Sequence, residues 1–194
     1  MTTQMTTQTL TKPEAGTWNI DNAHTRIGFV ARHLVAAKVR GTFETFEGTI
    51  EVADDLTDSK IDVSIDTASV NTNAEDRDNH LRSGDFFDSA EFPTMRFVST
   101  DIEALGEGRY EVTGDLTIKD VTKPVTLDTT YLGIISDPWG NGKAMLEASA
   151  KINRENWGLR RSLLSGLLLH GHSVECDLRR ASDPRLLDRP FPGS

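Results

Sequence analysis

One cysteine, Cys176, stands in 194 residues, so no internal disulfide forms and no thiol-rich metal site is available. Such sparing use of cysteine fits a reducing compartment, and the expected location is cytoplasmic. Positive charge is scarce as well: 21 Lys and Arg stand against 30 Asp and Glu, a net charge of −9 spread along the chain. A surface of that sign repels a phosphate backbone, which argues against nucleic acid as a partner. No apolar run approaches the ~20 residues that a bilayer-crossing helix needs, so the chain is not expected to span a membrane. The opening stretch MTTQMTTQTLTKPEAG holds a single basic residue, Lys12, and no apolar block. It reads as a disordered lead-in over 1–16 and not as a signal peptide. Catalytic signatures are missing too: the chain has no G-x-S-x-G elbow, Walker loop, G-x-G-x-x-G fingerprint or H-E-x-x-H helix. An enzyme is not the expected reading.

What the chain does have is two-residue alternation, on a hydrophobic content of 37% that suffices for one core. The run from Trp18 to Gly48 carries it most plainly. Trp18 and Ile20 share one phase, and Thr25, Ile27 and Phe29 take the opposite one. A bend near Asp21–Ala23 is needed to re-aim the side chains. The next strand resets in the same way, from Val39, Gly41 and Phe43 to Phe46, Gly48, Ile50 and Val52, which places a bulge near Thr45.

Alternation continues through Ile61–Ile65, Thr94–Glu103, Tyr110–Ile118, Val125–Tyr131 and Ala144–Ile152, and again at Val174, Cys176 and Leu178. Turns are expected at Lys119–Pro124 and Asp137–Gly142. The charged stretch Ala74–Ser83 interrupts the strands and reads as a short surface helix with Asn73 as its N-cap. No βαβ rhythm appears. The fold class is therefore all-β: an extended eight-stranded antiparallel lipocalin-like β-barrel with one or two short surface helices. The barrel domain is expected over 17–181, followed by a proline-bearing flexible tail over 182–194.

Several segments together resemble the YceI family, lipocalin-like proteins implicated in binding polyisoprenoids and other long amphiphiles. They are W-x-I-D-x-x-H-T at Trp18–Thr25, H-L at His33–Leu34, K-V-R-G-x-F at Lys38–Phe43 and R-D-x-H-L at Arg77–Leu81. D-F-F-D follows at Asp85–Asp88, then F-P-x-M-x-F at Phe92–Phe97 and G-x-L-T-I at Gly114–Ile118. The last two are T-K-P-V at Thr122–Val125 and I-N-R-x-x-W-G-L at Ile152–Leu159. The resemblance runs from about Trp18 to Leu159 and implies an eight-stranded barrel around an elongated apolar pore, with no catalytic residues to carry over. After Leu159 the chain is longer and richer in arginine than the family pattern, which leaves the closing strand's register open.

A polyisoprenoid or similar amphiphilic lipid is then the expected partner, held inside the barrel for carriage, storage or sequestration. The wall candidates are Ile27, Phe29, Phe43, Ile65, Phe97, Tyr110, Leu116, Ala148 and Ala150. Three alanines on one strand leave room inside. Apolar burial at ~0.8 kcal/mol per methylene supplies affinity, so polar groups are needed only to select a head group. The head-group candidates are His24, His33, Arg77, His80 and Arg154. Each has a plainer role to set beside that one. Arg154 could pair with Asp21 or another carboxylate, the two histidines at bends could satisfy nearby backbone, and Arg77 with His80 could decorate a solvated helix.

D-R-D-N-H at Asp76–His80 lacks the spacing and glycine of a calcium loop. His170 and His172 make at most half of a metal site. No metal or cofactor is expected, and a homodimer stays open. Two alternatives remain. One is an enzyme acting on an isoprenoid or quinone-like substrate through His24, His33 or Arg154. The other is a stress-related interaction protein that uses the barrel as a scaffold, which a cavity too small for an acyl chain would favour.

Overall fold

The computed structural model describes residues 10–33, 37–136, 142–159, 167–169 and 172–180. The expected turn at Asp137–Gly142, all but its last residue, and the expected tail over 182–194 lie outside the described residues. The strands are β1 (Gly16–Ile20), β2 (Arg26–His33), β3 (Ala37–Phe43), β4 (Phe46–Val52), β5 (Lys60–Asp66), β6 (Val70–Asn71) and β7 (Thr94–Gly106). They continue with β8 (Arg109–Ile118), β9 (Val121–Ser136), β10 (Gly142–Ala150), β11 (Leu167–Leu169) and β12 (His172–Arg180), and α1 (Glu75–Arg82) is the one α-helix among the described residues.

The sheet runs β1-β4-β5-β7-β8-β9-β10-β12-β2-β3-β6, and β1 also pairs with β12, so the hydrogen-bonded path closes on itself. Every pairing is antiparallel. Six of the strands are halves of three bent ones. β1 with β2, β3 with β4, and β11 with β12 each run on through a break, which reduces the ring to the eight strands the alternation implies; β6 is a two-residue addition to β3.

The first bend has a clear cause. Ile20 lies opposite Leu178 and Ile27 opposite Val174, so seven residues advance on one strand against four on its partner. The three extra residues form a turn in which the Asp21 carbonyl accepts from the amides of His24 (3.0 Å) and Thr25 (2.8 Å). An odd excess flips the side-chain phase, and Trp18 and Ile20 before the turn and Ile27, Phe29 and Ala31 after it are all buried. The second bend falls at Glu44–Thr45. There the Glu44 amide donates to the Ser69 carbonyl (3.2 Å) and the Thr45 carbonyl accepts from the Asp66 amide (2.9 Å), so the broken ladder loses no buried partner.

Aromatic rings fill much of the interior, seated in notches left by glycine. Phe29 packs on Phe43 at a centroid distance of 5.8 Å and Phe43 on Phe87 at 5.6 Å. A Cβ at Gly41 would stand 2.4 Å from the Phe29 ring, and one at Gly114 would stand 2.5 Å from the Phe97 ring. Neither position has room for a side chain.

Both ends of the barrel are covered. At one end α1 is pinned down: Asp78 accepts from the amide (2.9 Å) and hydroxyl (2.5 Å) of Thr72, and Arg82 donates to the carbonyls of Ala68 (2.7 Å) and Val70 (2.9 Å). Leu81, Phe86 and Phe87 enter the core beside it. The expected N-cap is corrected. Asn73 has φ +59° and donates its amide to the Asn71 side chain, and Ala74 occupies the cap with no side-chain bond.

The expected Lys119–Pro124 turn is shorter than its sequence suggests. Chain reversal takes only Lys119 and Asp120, with Lys119 at φ +57°, and Pro124 lies within β9 opposite Asp115. The ladder between β9 and β10 begins only at Asp128, so the amide that proline lacks has no described neighbour to serve on that side. The other end takes the described part of the expected lead-in over 1–16. Leu10–Glu14 crosses the barrel mouth, with Pro13 buried.

Candidate functional site

At the end crossed by Leu10–Glu14 the interior holds an apolar cavity of about 90 Å³. Alternation inside β1, β4, β8, β9 and β10 points Trp18, Ile50, Val52, Tyr110, Val112, Tyr131, Ala144 and Leu146 at it, and Pro13 closes it from above. Two hydroxyls, those of Ser59 and Thr129, and two phenols belong to lining residues; the rest is hydrocarbon or ring. Such a wall binds by burial and cannot read charge.

Tyr131 supplies the mouth's most defined polar group. Its hydroxyl donates to the Thr11 carbonyl at 2.6 Å, and the Trp18 indole donates to the Glu14 carbonyl at 2.9 Å. Burial first, and then the neighbouring Tyr110, push the Tyr131 phenol up to about 12, so at neutral pH it is an uncharged donor. The folded state therefore holds this proton more tightly than the unfolded chain does. Stability owed to Tyr131 is complete below pH 10 and is lost as pH rises toward about 12. Ultraviolet titration should show one of the two tyrosines ionising late, together with unfolding, and Tyr131→Phe should remove that late step. Two tyrosines titrating together near pH 10 in the folded protein would contradict the buried placement.

All nine wall candidates face inward. Ile27, Phe29, Phe43, Ile65, Phe97, Ala148 and Ala150 are buried, and Tyr110 and Leu116 are half-buried against the core. Tyr110 alone among them lines this cavity. Pro13, Trp18, Val52 and Tyr131 were missed as lining residues. Alternation marks a residue as inward but does not tell which inward residues border a void.

Of the four head-group candidates whose side chains are described, His24 stands apart from Arg77, His80 and Arg154. His24 lies at the first bend, half exposed, with Nδ1 2.8 Å from the Asp21 carboxylate. Asp21 also takes the Lys143 ammonium at 3.2 Å, with both side chains nearly excluded from water. Of the acidic partners considered for Arg154, Asp21 is taken by Lys143, which opens β10 whereas Arg154 follows its far end. Arg154 is buried with its guanidinium 5.7 Å from the centre of the Phe86 ring.

Arg77 donates to the Thr72 hydroxyl (2.7 Å) and carbonyl (2.9 Å), and His80 faces Asp85 at 3.4 Å and the edge of Phe86. These three belong to the end closed by α1, away from the cavity. The backbone of His33 pairs with Leu167 and Ala37, and its side chain lies outside the described residues, as does His170. A separate concavity of about 500 Å³ opens on the outer surface between Asn19, Glu47, Thr49, Asp62 and Arg96. Arg96 grips Asp62 there with two bonds, of 2.9 and 2.5 Å, which holds that carboxyl below its usual range.

Comparison with known proteins agrees with this architecture. Residues 18–179 match the YceI-like domain. A UPF0312 protein of Photorhabdus laumondii is 40% identical over 146 residues, which cover 75% of this chain and 76% of that protein. The crystal structure of a Campylobacter jejuni YCEI protein superposes with a TM-score of 0.65 at 29% identity, covering 89% of this chain and 100% of that one. A polyisoprenoid binding domain from Saccharophagus degradans, implicated in plant cell wall breakdown, superposes with a TM-score of 0.68 at 16% identity, over 85% of this chain and 98% of that one. That last likeness is one of fold.

Proposed function

The chain belongs to the YceI-like domain family, and from that premise we propose that it binds a polyisoprenoid or similar long-chain amphiphile inside the barrel, for carriage, storage or sequestration. The observation that carries the reading is the cavity wall: fourteen residues line it, and their exposed surface is almost wholly apolar. The Saccharophagus degradans polyisoprenoid binding domain supports the same ligand class on the same fold. Binding without turnover is proposed, and the single cysteine supports a cytoplasmic location.

Scale sets a condition on the ligand. A methylene takes roughly the volume of a water molecule, ~30 Å³, so a chain of ~20 carbons needs on the order of 600 Å³. Among the described residues the cavity of about 90 Å³ seats a small part of such a chain. The same number favours a second reading, in which the barrel is a scaffold for an interaction partner.

Organic extraction of the purified protein under denaturing conditions, followed by mass spectrometry, separates the two. Near-stoichiometric recovery of one lipid class is the expected result. An empty extract, together with no uptake of an added prenyl alcohol, would leave the scaffold reading standing.

A further inference from the structure

We infer that Leu10–Glu14 is a built-in plug that occupies the barrel mouth as a ligand would, and that it must undock before an amphiphile enters. The inference rests on the interior-binding reading and adds to it the element that controls access.

The plug satisfies the barrel in three ways. Pro13 supplies apolar wall to the cavity beside Trp18 and Tyr131. Two side-chain donors of the mouth, the Tyr131 hydroxyl and the Trp18 indole, are met by main-chain carbonyls of the plug, those of Thr11 and Glu14. Leu10 rides over the β7–β8 turn. A Cβ at Gly108 would stand 2.7 Å from its Cδ1 atom, and one at Gly133 would stand 3.5 Å from its Cδ2 atom. Both glycines have positive φ, +74° and +109°, so the track on which Leu10 lies has no side chains of its own.

The attachment is nonetheless slight. Residues 10–15 belong to no strand, and Leu10 is left 37% exposed. Segments held by few buried contacts open at far lower cost than the sheet they lie on. What the plug provides can also be supplied by a ligand: an apolar body over the cavity and oxygen acceptors for two neutral donors. The entering end of the ligand therefore needs a hydroxyl, carbonyl or ester oxygen and no charge. A protein whose competent state is only partly populated binds with its affinity reduced by that fraction, and weakening the plug restores it.

All-trans-retinol is a suitable probe, being a fluorescent isoprenoid with an uncharged hydroxyl end. The full chain carries spin labels at Lys12→Cys and Glu103→Cys in a Cys176→Ser background; both labelled positions are exposed. The distance between the labels should be narrowly distributed without retinol and broad at saturation. Leu10→Ala, which alters the plug and not the cavity wall, should raise apparent affinity about threefold to tenfold, and Leu10→Asp should raise it at least as much.

Retinol bound with the label distance unchanged would overturn the plug and leave interior binding intact. Equal affinity in wild type, Leu10→Ala and Leu10→Asp would do the same. No uptake by any of the three would overturn both readings together. Uptake by the Leu10 variants alone would be the strongest support for the plug.

Discussion

Gly114→Ala should destabilise the protein by about 3 kcal/mol, at the upper end of what a single added methyl costs in a filled core. The new Cβ would lie 2.5 Å from the Phe97 ring and 2.5 Å from the Val98 carbonyl oxygen on the neighbouring strand. A ring can turn away, but a carbonyl in the ladder cannot. Gly41→Ala should cost less, about 2 kcal/mol, because its closest contacts are all side chains, Phe29 at 2.4 Å and Thr72 at 2.8 Å. Gly84→Ala meets nothing closer than 3.7 Å and should stay within ~0.5 kcal/mol of wild type. Urea denaturation midpoints at unchanged slope would measure all three. The double variants divide the causes: Phe29→Leu should rescue much of Gly41→Ala, whereas Phe97→Leu should rescue little of Gly114→Ala, since the carbonyl remains. A Gly114→Ala protein as stable as wild type would show that Phe97 does not occupy the notch.

Lys143→Met should cost about 3 kcal/mol, the scale expected when one member of a buried ion pair is removed. Asp21 and Lys143 side chains are 4% and 10% exposed, and their contact is 3.2 Å. Removing the ammonium leaves a carboxylate out of water, with the Ala23 amide (3.1 Å) and the half-exposed His24 among the remaining donors. The loss measures the stranded charge more than the attraction, so Lys143→Met combined with Asp21→Asn should recover most of the stability. If the double variant is as weak as Lys143→Met alone, the Asp21 charge is not the source of the cost. The pair ties the first bend to β10, so its loss should also loosen the seam where β12 joins both.

Much of this fold was legible in the chain. The two phase resets placed the bends at Asp21 and Thr45 because a period of two leaves no other way to keep Trp18, Ile20, Ile27 and Phe29 all inside. The inward face of β10 followed from its alanines. What stayed hidden depended on distance and on the main chain. Lys143 and Asp21 are far apart in sequence, and nothing near either names the other, so the cation considered for Asp21 was Arg154, with other carboxylates left open to it, and Arg154 lies beyond the opposite end of β10. The plug was read as lead-in because TLTKPEAG is polar. Its hold on the barrel comes from carbonyl oxygens, which every residue carries and which leave no mark in composition. Phe86 and Phe87 were noted as part of a pattern, but a loop gives no period from which to infer that both are core.

The closure of β1 on β12 also sets an order of events. Ile20 pairs with Leu178, and a ribosome adding about 5–20 residues per second takes on the order of ten seconds or more to make the chain between them. Until then β10 and the first bent strand are free edges, available to any neighbouring strand. The barrel is therefore committed to finishing after synthesis, and nascent or truncated chains that stop short of His172 should be the aggregation-prone form of this protein.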